Sequence, residues 1–243
     1  MSKNLVVIPT YNERENILDI VRTTLALTPQ FDILVVDDAS PDGTAGLVQE
    51  EMKAHQDRLF LLERKGKLGL GTAYIAGFKW AMENGYEYIC EMDADFSHDP
   101  KDLVKLHAAC EAGADVAIGS RYVKGVNVVN WPIGRVLMSY FASFYVRIIT
   151  GMPFKDTTAG FKCYKRDVFE TLNLDKIHFI GYAFQIEMKF NAWKHGFSIV
   201  EVPIIFTDRT KGVSKMSKGI FKEAIFGVLE MKIKSLFKKY EPV

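Results

Sequence analysis

Short apolar runs alternate with helical patterns through the first half of the chain. Residues 5–8, 33–36, 59–62 and 116–118 are apolar runs that predict strands, and residues 86–92 predict a further strand. Continuous runs of this kind are typical of strands that are buried on both faces of a parallel sheet. Because helical patterns separate them, the sequence predicts an α/β fold with a doubly wound sheet. In such sheets, ligands bind at the carboxyl ends of the strands.

The pattern changes in the second half of the chain. Residues 133–150 predict an amphipathic helix, residues 182–193 a further helix, and residues 199–206 a strand. Pro203 interrupts that strand, which predicts an edge strand or a break. Residues 219–240 predict a basic amphipathic helix. No repeat or low-complexity linker divides the chain, so we expect one domain with a C-terminal extension.

The charge distribution separates the extension from the rest. The 243 residues carry 31 basic and 30 acidic side chains, so a global basic field for nucleic acid is absent. Residues 211–243 hold eight lysines against three glutamates, whereas residues 1–210 have a net charge of −4. We therefore divide the chain into a catalytic domain, 1–210, and a loop with a basic amphipathic helix, 211–243. That helix either lies on a membrane surface or packs on its own domain, through apolar residues Ile220, Phe221, Ile225, Leu229, Ile233 and Phe237.

Cysteine content and hydropathy indicate the compartment. The three cysteines are widely spaced and form no CxxC motif, which fits a reducing environment. The nearest approach to a transmembrane helix, the uncharged residues 136–146, is too short to span a bilayer, and the N-terminus has no signal-peptide pattern. We therefore expect a cytoplasmic protein without a transmembrane helix.

A pair of carboxylates follows the fourth predicted strand. Asp93 and Asp95 are two residues apart, so on an extended chain their side chains point to the same side. Two carboxylates held together repel unless a cation joins them, and oxygen ligands suit Mg²⁺ or Mn²⁺. The alternative is an acidic turn before the helix at Pro100, with Asp99 as its cap.

The first strand ends in a loop that differs from the glycine-rich dinucleotide fingerprint. Tyr11 offers a ring on which a base can stack, and Glu13 offers an acceptor for base or ribose. The alternative is a helix start, with Asn12 as cap and Glu15 three residues later.

The second strand ends in Asp37 and Asp38, where carboxylates of nucleotide-binding sheets commonly bind ribose hydroxyls. The alternative is that one of them caps the turn at residues 42–43. The third strand leads into residues 64–71, a loop with three cations and three glycines. Such a loop is either a phosphate cradle at a helix N-terminus or a flexible surface loop.

Four cations stand near predicted element ends: Arg121, Arg135, Arg209 and Lys215. Each alone is typical of a solvated surface, but as a set they suit a second phosphate that faces a metal-bound diphosphate. His98 is expected on the loop surface, and the histidines offer no general base. The three tryptophans are expected in the core.

These motifs, taken in chain order, resemble the inverting family 2 glycosyltransferases and, within them, the dolichyl-phosphate (polyprenyl-phosphate) mannose synthases. The resemblance covers residues 5–216 and rests on the segments IPTYNERENI, VVDDASPDGT, GLGTAYIAGF, MDADFSHDP, GSRY, GYAFQIEM and VPIIFTDRTKGVSKM. It implies a GT-A fold. It also implies inverting transfer of mannose from GDP-mannose to a polyprenyl phosphate, with Mg²⁺ or Mn²⁺, at the cytoplasmic face of a membrane.

The resemblance assigns roles to individual residues. It implies a guanosine pocket formed by Pro9, Tyr11, Glu13, Val36 and Asp38. It implies metal ligands at Asp93 and Asp95, a backbone contact from Ala94, and Ser97 at a third-ligand position where some members carry Gln. It implies that Arg121 and Arg209 lie around the diphosphate and sugar, and that Arg135 and Lys215 lie where the acceptor phosphate arrives.

The implied reaction fits the absence of a predicted base. A phosphate monoester has a second pKa of about 6, so its oxygen is largely deprotonated at neutral pH. Catalysis then requires cations and alignment rather than proton abstraction. Two alternatives remain: a relative that uses glucose, an amino sugar or another acceptor, and a catalytically silent nucleotide-binding module. Many members of the family carry additional transmembrane helices. The chain resembles the members whose catalytic subunit lacks them, and this resemblance implies a membrane-protein partner.

Overall fold

The computed structural model describes residues 3–181, 183–209, 219–237 and 239–240. Nine strands lie in this part of the chain, and the predicted strands in its first half are all present, with shifted ends. In chain order the strands are β1 (Asn4–Thr10), β2 (Asp32–Asp37), β3 (Leu59–Glu63), β4 (Tyr88–Glu91), β5 (Val116–Ser120), β6 (Val128–Val129), β7 (Lys162–Lys165), β8 (Ile199–Pro203) and β9 (Phe206–Thr207).

Seven strands form one mixed sheet in the order β3-β2-β1-β4-β7-β5-β8. Neighbours pair in parallel, except that β7 runs antiparallel between β4 and β5. The strands β6 and β9 pair with each other in a separate small sheet. The expected doubly wound α/β sheet is therefore confirmed.

Helices cover both faces of the large sheet. In chain order they are α1 (Ile17–Leu25), α2 (Thr44–Met52), α3 (Leu70–Glu83), α4 (Asp102–Glu111), α5 (Ile133–Thr150), α6 (Arg166–Thr171), α7 (Ala183–Lys194) and α8 (Gly219–Phe237). Buried residues of α1, α2 and α4 form one apolar core with the sheet, and those of α3, α6 and α7 form the other. This two-layer burial explains why the central strands are apolar on both faces.

The second half shows where the sequence pattern was insufficient. The strand predicted over residues 199–206 divides at Pro203 into the edge strand β8 and the short β9, as the proline indicated. Strand β7 was not predicted, because its sequence Lys-Cys-Tyr-Lys has too few apolar residues for a buried run. Its Lys162 is nevertheless fully buried and paired with Glu91 of β4.

The C-terminal helix α8 packs against α5 and α7. The Tyr145 hydroxyl donates to the Ile225 carbonyl at 2.9 Å, and Val228 and Met231 are buried. Four of the predicted apolar residues stay exposed at the same time: Ile225, Leu229, Ile233 and Phe237. The side chains of Ile220 and Phe221 lie outside the described part. No helix among the described residues has the length and apolarity needed to cross a membrane.

Candidate active site

The carboxyl ends of β1, β2 and β4 lie side by side and carry the predicted nucleotide and metal motifs. Thr10 is level with Asp37 in the β1–β2 register, and Val7 is level with Glu91 in the β1–β4 register. Asp37 is fully buried and accepts hydrogen bonds from the Thr10 hydroxyl and from the backbone and hydroxyl of Ser40. Asp37 therefore holds the loop after β2, and Asp38 is the carboxylate left to face the site.

Left-handed backbone conformations mark the loops of this edge. Asn12, Ala39, Phe96 and Asn130 have positive φ angles of 54–63°, and they are the non-glycine residues with this property in the described chain. Each adjoins a residue of interest: Tyr11, Asp38, Asp95 and Trp131, respectively. Non-glycine residues in this region are held there by their surroundings and cluster at functional sites. Asn12 is not the N-cap of the helix that follows β1, because α1 begins at Ile17 and Asn16 is at its N-cap position.

The predicted nucleotide side is formed by three side chains with different surroundings. The Lys67 ammonium lies over the Tyr11 ring, 4.7 Å from its centroid. Buried Glu13 accepts a hydrogen bond from Asn16 at 3.1 Å. Asp38 accepts hydrogen bonds from the Arg64 guanidinium at 2.6 Å and from the backbone N–H of residue 68 at 3.1 Å. These acceptors thus follow the neighbouring strands β1 and β2, with the Tyr11 ring on the first of the two loops.

Two further predicted contact residues lie in the core: Val36 of the nucleotide pocket and Ala94 between the predicted metal ligands. Val36 is fully buried beside Pro9 in the β1–β2 register, and Ala94 is 3% exposed. Their side chains pack under the helices, so only their backbone atoms are left to face a nucleotide.

The glycine-rich loop at residues 64–71 is tied to the domain. The Gly71 N–H, in the first turn of α3, donates to the Ile180 carbonyl at 2.9 Å. Arg64 also donates to the Thr72 hydroxyl and the Gly69 carbonyl. The Gly71 N–H group, which would have to bind phosphate if this loop were a phosphate cradle, is therefore already bonded to a carbonyl. The geometry favours a structural role for this helix N-terminus.

The carboxylate pair after β4 is unequal, because Asp95 is buried whereas Asp93 is only partly buried. Burial, together with repulsion from Asp95, raises the pKa of Asp93 to about 7, and the Tyr74 hydroxyl donates to Asp93 at 3.2 Å. Burial also acts to raise the pKa of Asp95, but Ser97 and the Arg209 guanidinium outweigh it and lower the pKa. The Ser97 N–H donates to Asp95 at 3.0 Å, and Arg209 Nη2 lies 2.5 Å from Asp95 Oδ2.

This donor set fits a divalent cation such as Mg²⁺ or Mn²⁺. Asp93 and Asp95 supply hard oxygen ligands, and the buried Ser97 hydroxyl makes no well-formed hydrogen bond to any described residue. No group of three or more His, Cys, Asp or Glu side chains forms a closed metal cage in the described chain. Such a site suits a cation that takes its remaining ligands from phosphate and water. The alternative role of Asp99 is also present, because it accepts a hydrogen bond from the N–H of residue 101 before α4.

Arg121 is held in place by a buried ion pair. Its guanidinium donates to both oxygens of Asp156 at 2.6 and 2.7 Å and to the Thr158 hydroxyl at 2.8 Å. Asp156 is fully buried, and its pKa is lowered because the charge of Arg121 outweighs the burial that acts to raise it. Asp156 is not among the residues to which the sequence pattern assigns a role. A buried arginine requires a carboxylate partner, and that requirement could have found it.

Two of the other predicted cations are also paired with carboxylates. Arg135 donates from Nη1 to both oxygens of Asp208 at 2.8 Å. Arg209 approaches Asp95, as above, and Glu13 at 3.9 Å. Lys215 lies outside the described residues. The structure thus brings Arg209 against Asp95, holds Arg121 on Asp156, and holds Arg135 at the border of the small β6–β9 sheet.

Two sequence expectations about aromatic residues are wrong. His98 was expected at the surface, but it is 4% exposed and its ring stacks on Phe161 at 4.8 Å. Burial lowers the pKa of His98 to about 4, so the ring is neutral at physiological pH. Trp131 was expected in the core, but it is half-buried, and the guanidinium groups of Arg121 and Arg135 lie over its ring.

Comparison with known proteins agrees with this geometry. Residues 5–172 match the model of glycosyl transferase family 2. The chain is 50% identical to polyprenol monophosphomannose synthase of Mycolicibacterium smegmatis over 232 residues, which cover 96% of this chain and 88% of that protein. It is 46% identical to undecaprenyl-phosphate mannosyltransferase of Micrococcus luteus, with 92% and 91% covered. The solved structure of a mannosyltransferase from Pyrobaculum calidifontis with GDP-Man and Mn²⁺ superposes with a TM-score of 0.59 at 18% identity, covering 99% of this chain and 66% of that one.

Proposed function

The chain belongs to glycosyltransferase family 2, and we propose that it transfers mannose from GDP-mannose to a polyprenyl phosphate with inversion at the sugar. The observation that carries this proposal is the pair of Asp93 and Asp95 directly after β4, with Arg209 Nη2 2.5 Å from Asp95 Oδ2. Such a site is suited to neutralising a departing diphosphate. Two curated relatives with mannosyltransferase names, aligned over nearly the whole chain, support the choice of sugar and acceptor.

The nucleotide end of the donor is assigned to the edge formed by β1 and β2. Tyr11 provides the stacking surface for the base, while Glu13 and Asp38 provide carboxylate acceptors for base and ribose hydrogen bonds. Pro9 and Val36 contribute their backbone at the neighbouring strand ends. This assignment follows the family resemblance residue by residue and agrees with the position of each side chain.

Asp93 and Asp95 would hold a divalent cation, with Ser97 as an adjacent oxygen donor. When bound, Mg²⁺ or Mn²⁺ supplies positive charge against the diphosphate. Arg209 adds charge at the same place, since it already contacts Asp95. Arg121 is proposed to add a further positive charge, and its pairing with Asp156 keeps the guanidinium in a fixed position.

The acceptor needs no protein base. A phosphate monoester oxygen is largely ionised at neutral pH, so the protein must align two anions that otherwise repel each other. The nearest histidine, His98, is buried and neutral and so is not available to supply an added charge. Arg135 and Lys215 are proposed to bind the acceptor phosphate, the former from the start of α5 and the latter from the loop in residues 211–243.

A lipid surface is proposed as the place of reaction. Helix α5 exposes a stripe spaced by three or four residues, and α8 exposes a second stripe beside it. Adjacent apolar helices with lysines nearby are typical of interfacial binding. The exposed residues are Ile133, Leu137, Phe141, Phe144 and Ile148 of α5, and Ile225, Phe226, Leu229, Ile233, Leu236 and Phe237 of α8.

This surface serves an acceptor whose prenyl chain lies in the bilayer. We assign it to the cytoplasmic face of the membrane, in keeping with three buried cysteines that carry free thiols. A membrane-protein partner that shares this surface is part of the same proposal.

A transfer assay with paired donors and acceptors tests the proposal. Purified protein is incubated in detergent with polyprenyl phosphate and GDP-mannose, GDP-glucose or UDP-glucose, with Mg²⁺, Mn²⁺ or a chelator. We expect mannosyl transfer from GDP-mannose, loss of transfer with chelator, and a β-linked product of inversion. Faster use of UDP-glucose would contradict the donor assignment. Nucleotide binding without turnover on any pair would contradict an enzymatic role.

A further inference from the structure

Trp131 lies where two predicted phosphate-binding arginines meet. The guanidinium carbon of Arg135 is 4.3 Å from the centroid of the Trp131 ring, and that of Arg121 is 5.7 Å from it. Phe206 of β9 contacts the same ring edge-on at 5.1 Å. The two guanidinium carbons are therefore at most about 10 Å apart, on one aromatic ring.

The backbone around Trp131 is fixed from both sides. Asn130 has a φ of 63°, and the small β6–β9 sheet joins this loop to the segment that carries Asp208 and Arg209. The Asp208 N–H donates to the Val129 carbonyl at 3.0 Å. The ring therefore has a defined position relative to the cations on both segments.

Arg135 is held in a way that leaves donors for a ligand. Its side-chain hydrogen bonds to described residues run from Nη1 to Asp208, and the ring of Trp131 contacts the guanidinium carbon. An aromatic ring attracts a cation without occupying its N–H groups. Nε and Nη2 are thus left to donate to an anion, in the fork geometry with which arginine binds phosphate.

The indole nitrogen adds an independent observation. Trp131 Nε1–H is buried and makes no hydrogen bond to any described residue. Leaving a buried donor unpaired costs about 1–3 kcal/mol, so a phenyl ring would suit this position at least as well if packing alone mattered. Phenylalanine at this position therefore separates the contribution of the ring from that of the N–H group.

We propose that Trp131 is a positioning residue for the acceptor phosphate, whose ring fixes the Arg135 guanidinium at a set distance from Arg121. The inference rests on the proposed function, because it assigns the acceptor phosphate to Arg135. Its consequence is specific: the loss of the ring weakens acceptor binding and leaves donor binding and the chemical step nearly unchanged.

The experiment compares W131L, W131F, R135Q and the double variant W131L/R135Q in the full-length protein. The KM values for polyprenyl phosphate and GDP-mannose, kcat and the thermal midpoint are measured for each. W131L is expected to raise the KM for polyprenyl phosphate about tenfold and to change the KM for GDP-mannose less than about twofold. W131F is expected to retain acceptor binding within about threefold, because it keeps a ring over Arg135.

The double variant tests whether Trp131 acts through Arg135. If it does, W131L/R135Q will be about as impaired as R135Q alone, because the two losses are not additive. The matched control is W193L on α7, where Trp193 packs against Phe190 away from the site, and its acceptor KM should equal that of the wild type.

Each other outcome overturns part of the argument. The inference is contradicted if the losses of acceptor binding in W131L and R135Q add up in the double variant, or if the acceptor KM of W131L is unchanged. In both cases the proposed function stands as long as the wild-type protein transfers mannose. Equal damage in W131F and W131L assigns the effect to the indole N–H and overturns the stacking role. A wild-type protein that neither binds nor uses a prenyl phosphate contradicts the proposed function itself, and the inference with it.

Discussion

Arg121 and Asp156 form a two-pronged ion pair that is almost completely removed from solvent. The four atoms meet at 2.6 and 2.7 Å, Asp156 is fully buried, and the Arg121 backbone N–H adds a third bond to the same carboxylate at 2.9 Å. The guanidinium also contacts the rings of Tyr122 and Phe206. The cation that we propose for the diphosphate is thus fixed by the fold itself, which is the preorganisation that electrostatic catalysis requires.

Removal of the Asp156 charge should destabilise the fold. D156N leaves Arg121 without its counter-charge in a buried place, and breaking a buried pair typically costs about 3–5 kcal/mol. Urea unfolding at pH 7 measures the change in the free energy of unfolding. D208N serves as the control, because the Arg135–Asp208 pair is partly exposed and should be worth less than about 1 kcal/mol. A smaller loss in D156N than in D208N would show that burial does not govern the strength of these pairs.

The same pair predicts a pH dependence of stability. The pKa of Asp156 in the folded protein is below its ordinary value, so its stabilisation is present above the unfolded pKa of about 3.9. It is lost as the pH falls through the lower folded value. The gap in unfolding free energy between wild type and D156N should therefore be constant from pH 7 to 5 and close below about pH 4. If the difference in unfolding free energy instead grew at acidic pH, the pKa of Asp156 would be raised in the folded protein, not lowered.

The carboxylate pair predicts metal-dependent transfer. D95A should abolish transfer, and D93N should reduce it by at least about a hundredfold, because each removes a ligand of the cation that offsets the diphosphate charge. Binding of Mn²⁺, followed by its electron paramagnetic resonance signal, should weaken in both variants. D99N is the control, since Asp99 caps the turn before α4 and should leave Mn²⁺ affinity unchanged. Near-wild-type transfer by D95A would exclude the proposed metal site.

Lys215 predicts a selective effect on the acceptor. K215A should weaken the use of polyprenyl phosphate by about tenfold and change GDP binding far less, since one lost charge–phosphate contact removes about 1.5–3 kcal/mol. Titration of GDP and measurement of the acceptor KM separate the two effects. K218A, in the same segment, is the comparison variant. Equal losses of GDP and acceptor binding in K215A would remove its assignment to the acceptor phosphate.

The sequence predicted the first five strands because four of them are continuous apolar runs and the remaining one, in residues 86–92, is mostly apolar or aromatic. The sequence did not predict β7, because its buried Lys162 donates hydrogen bonds to Glu91, Tyr164 and Gln185. A buried polar network of this kind leaves no hydrophobic pattern in the sequence. The motif residues Asp93 and Asp95 were found because spacing on a strand fixes which side chains share a side. Asp156 needed the folded chain, since it lies 35 residues from Arg121.

The exposed stripe of α8 predicts binding to a lipid surface. F237E and L236E place a charge where side chains 85% and 69% exposed would otherwise enter the interface. Since burying such a side chain is worth about 1.5–3 kcal/mol, each variant should lower vesicle binding by tenfold or more in a flotation assay with anionic lipid. I205E introduces the same charge at an exposed apolar residue between β8 and β9, 61% exposed, and should bind vesicles as the wild type does. Equal losses in all three would indicate a charge effect rather than an interfacial helix.

The packing of α8 on the domain depends on one glycine. A Cβ at Gly227 would lie 2.5 Å from Phe179 Cε1, and the Phe179 carbonyl lies 2.8 Å from the place of a Cβ at Gly71 in α3. G227A should therefore lower the free energy of unfolding by about 1–3 kcal/mol, although alanine favours a helix more than glycine does. Gly46, within α2, has no atom within 4 Å of an added Cβ, so G46A should be neutral or stabilising by up to about 1 kcal/mol. If G227A were as stable as G46A, the Phe179 ring would have room to move. The packing of α8 on the domain would then not depend on the close approach of Gly227 to this ring.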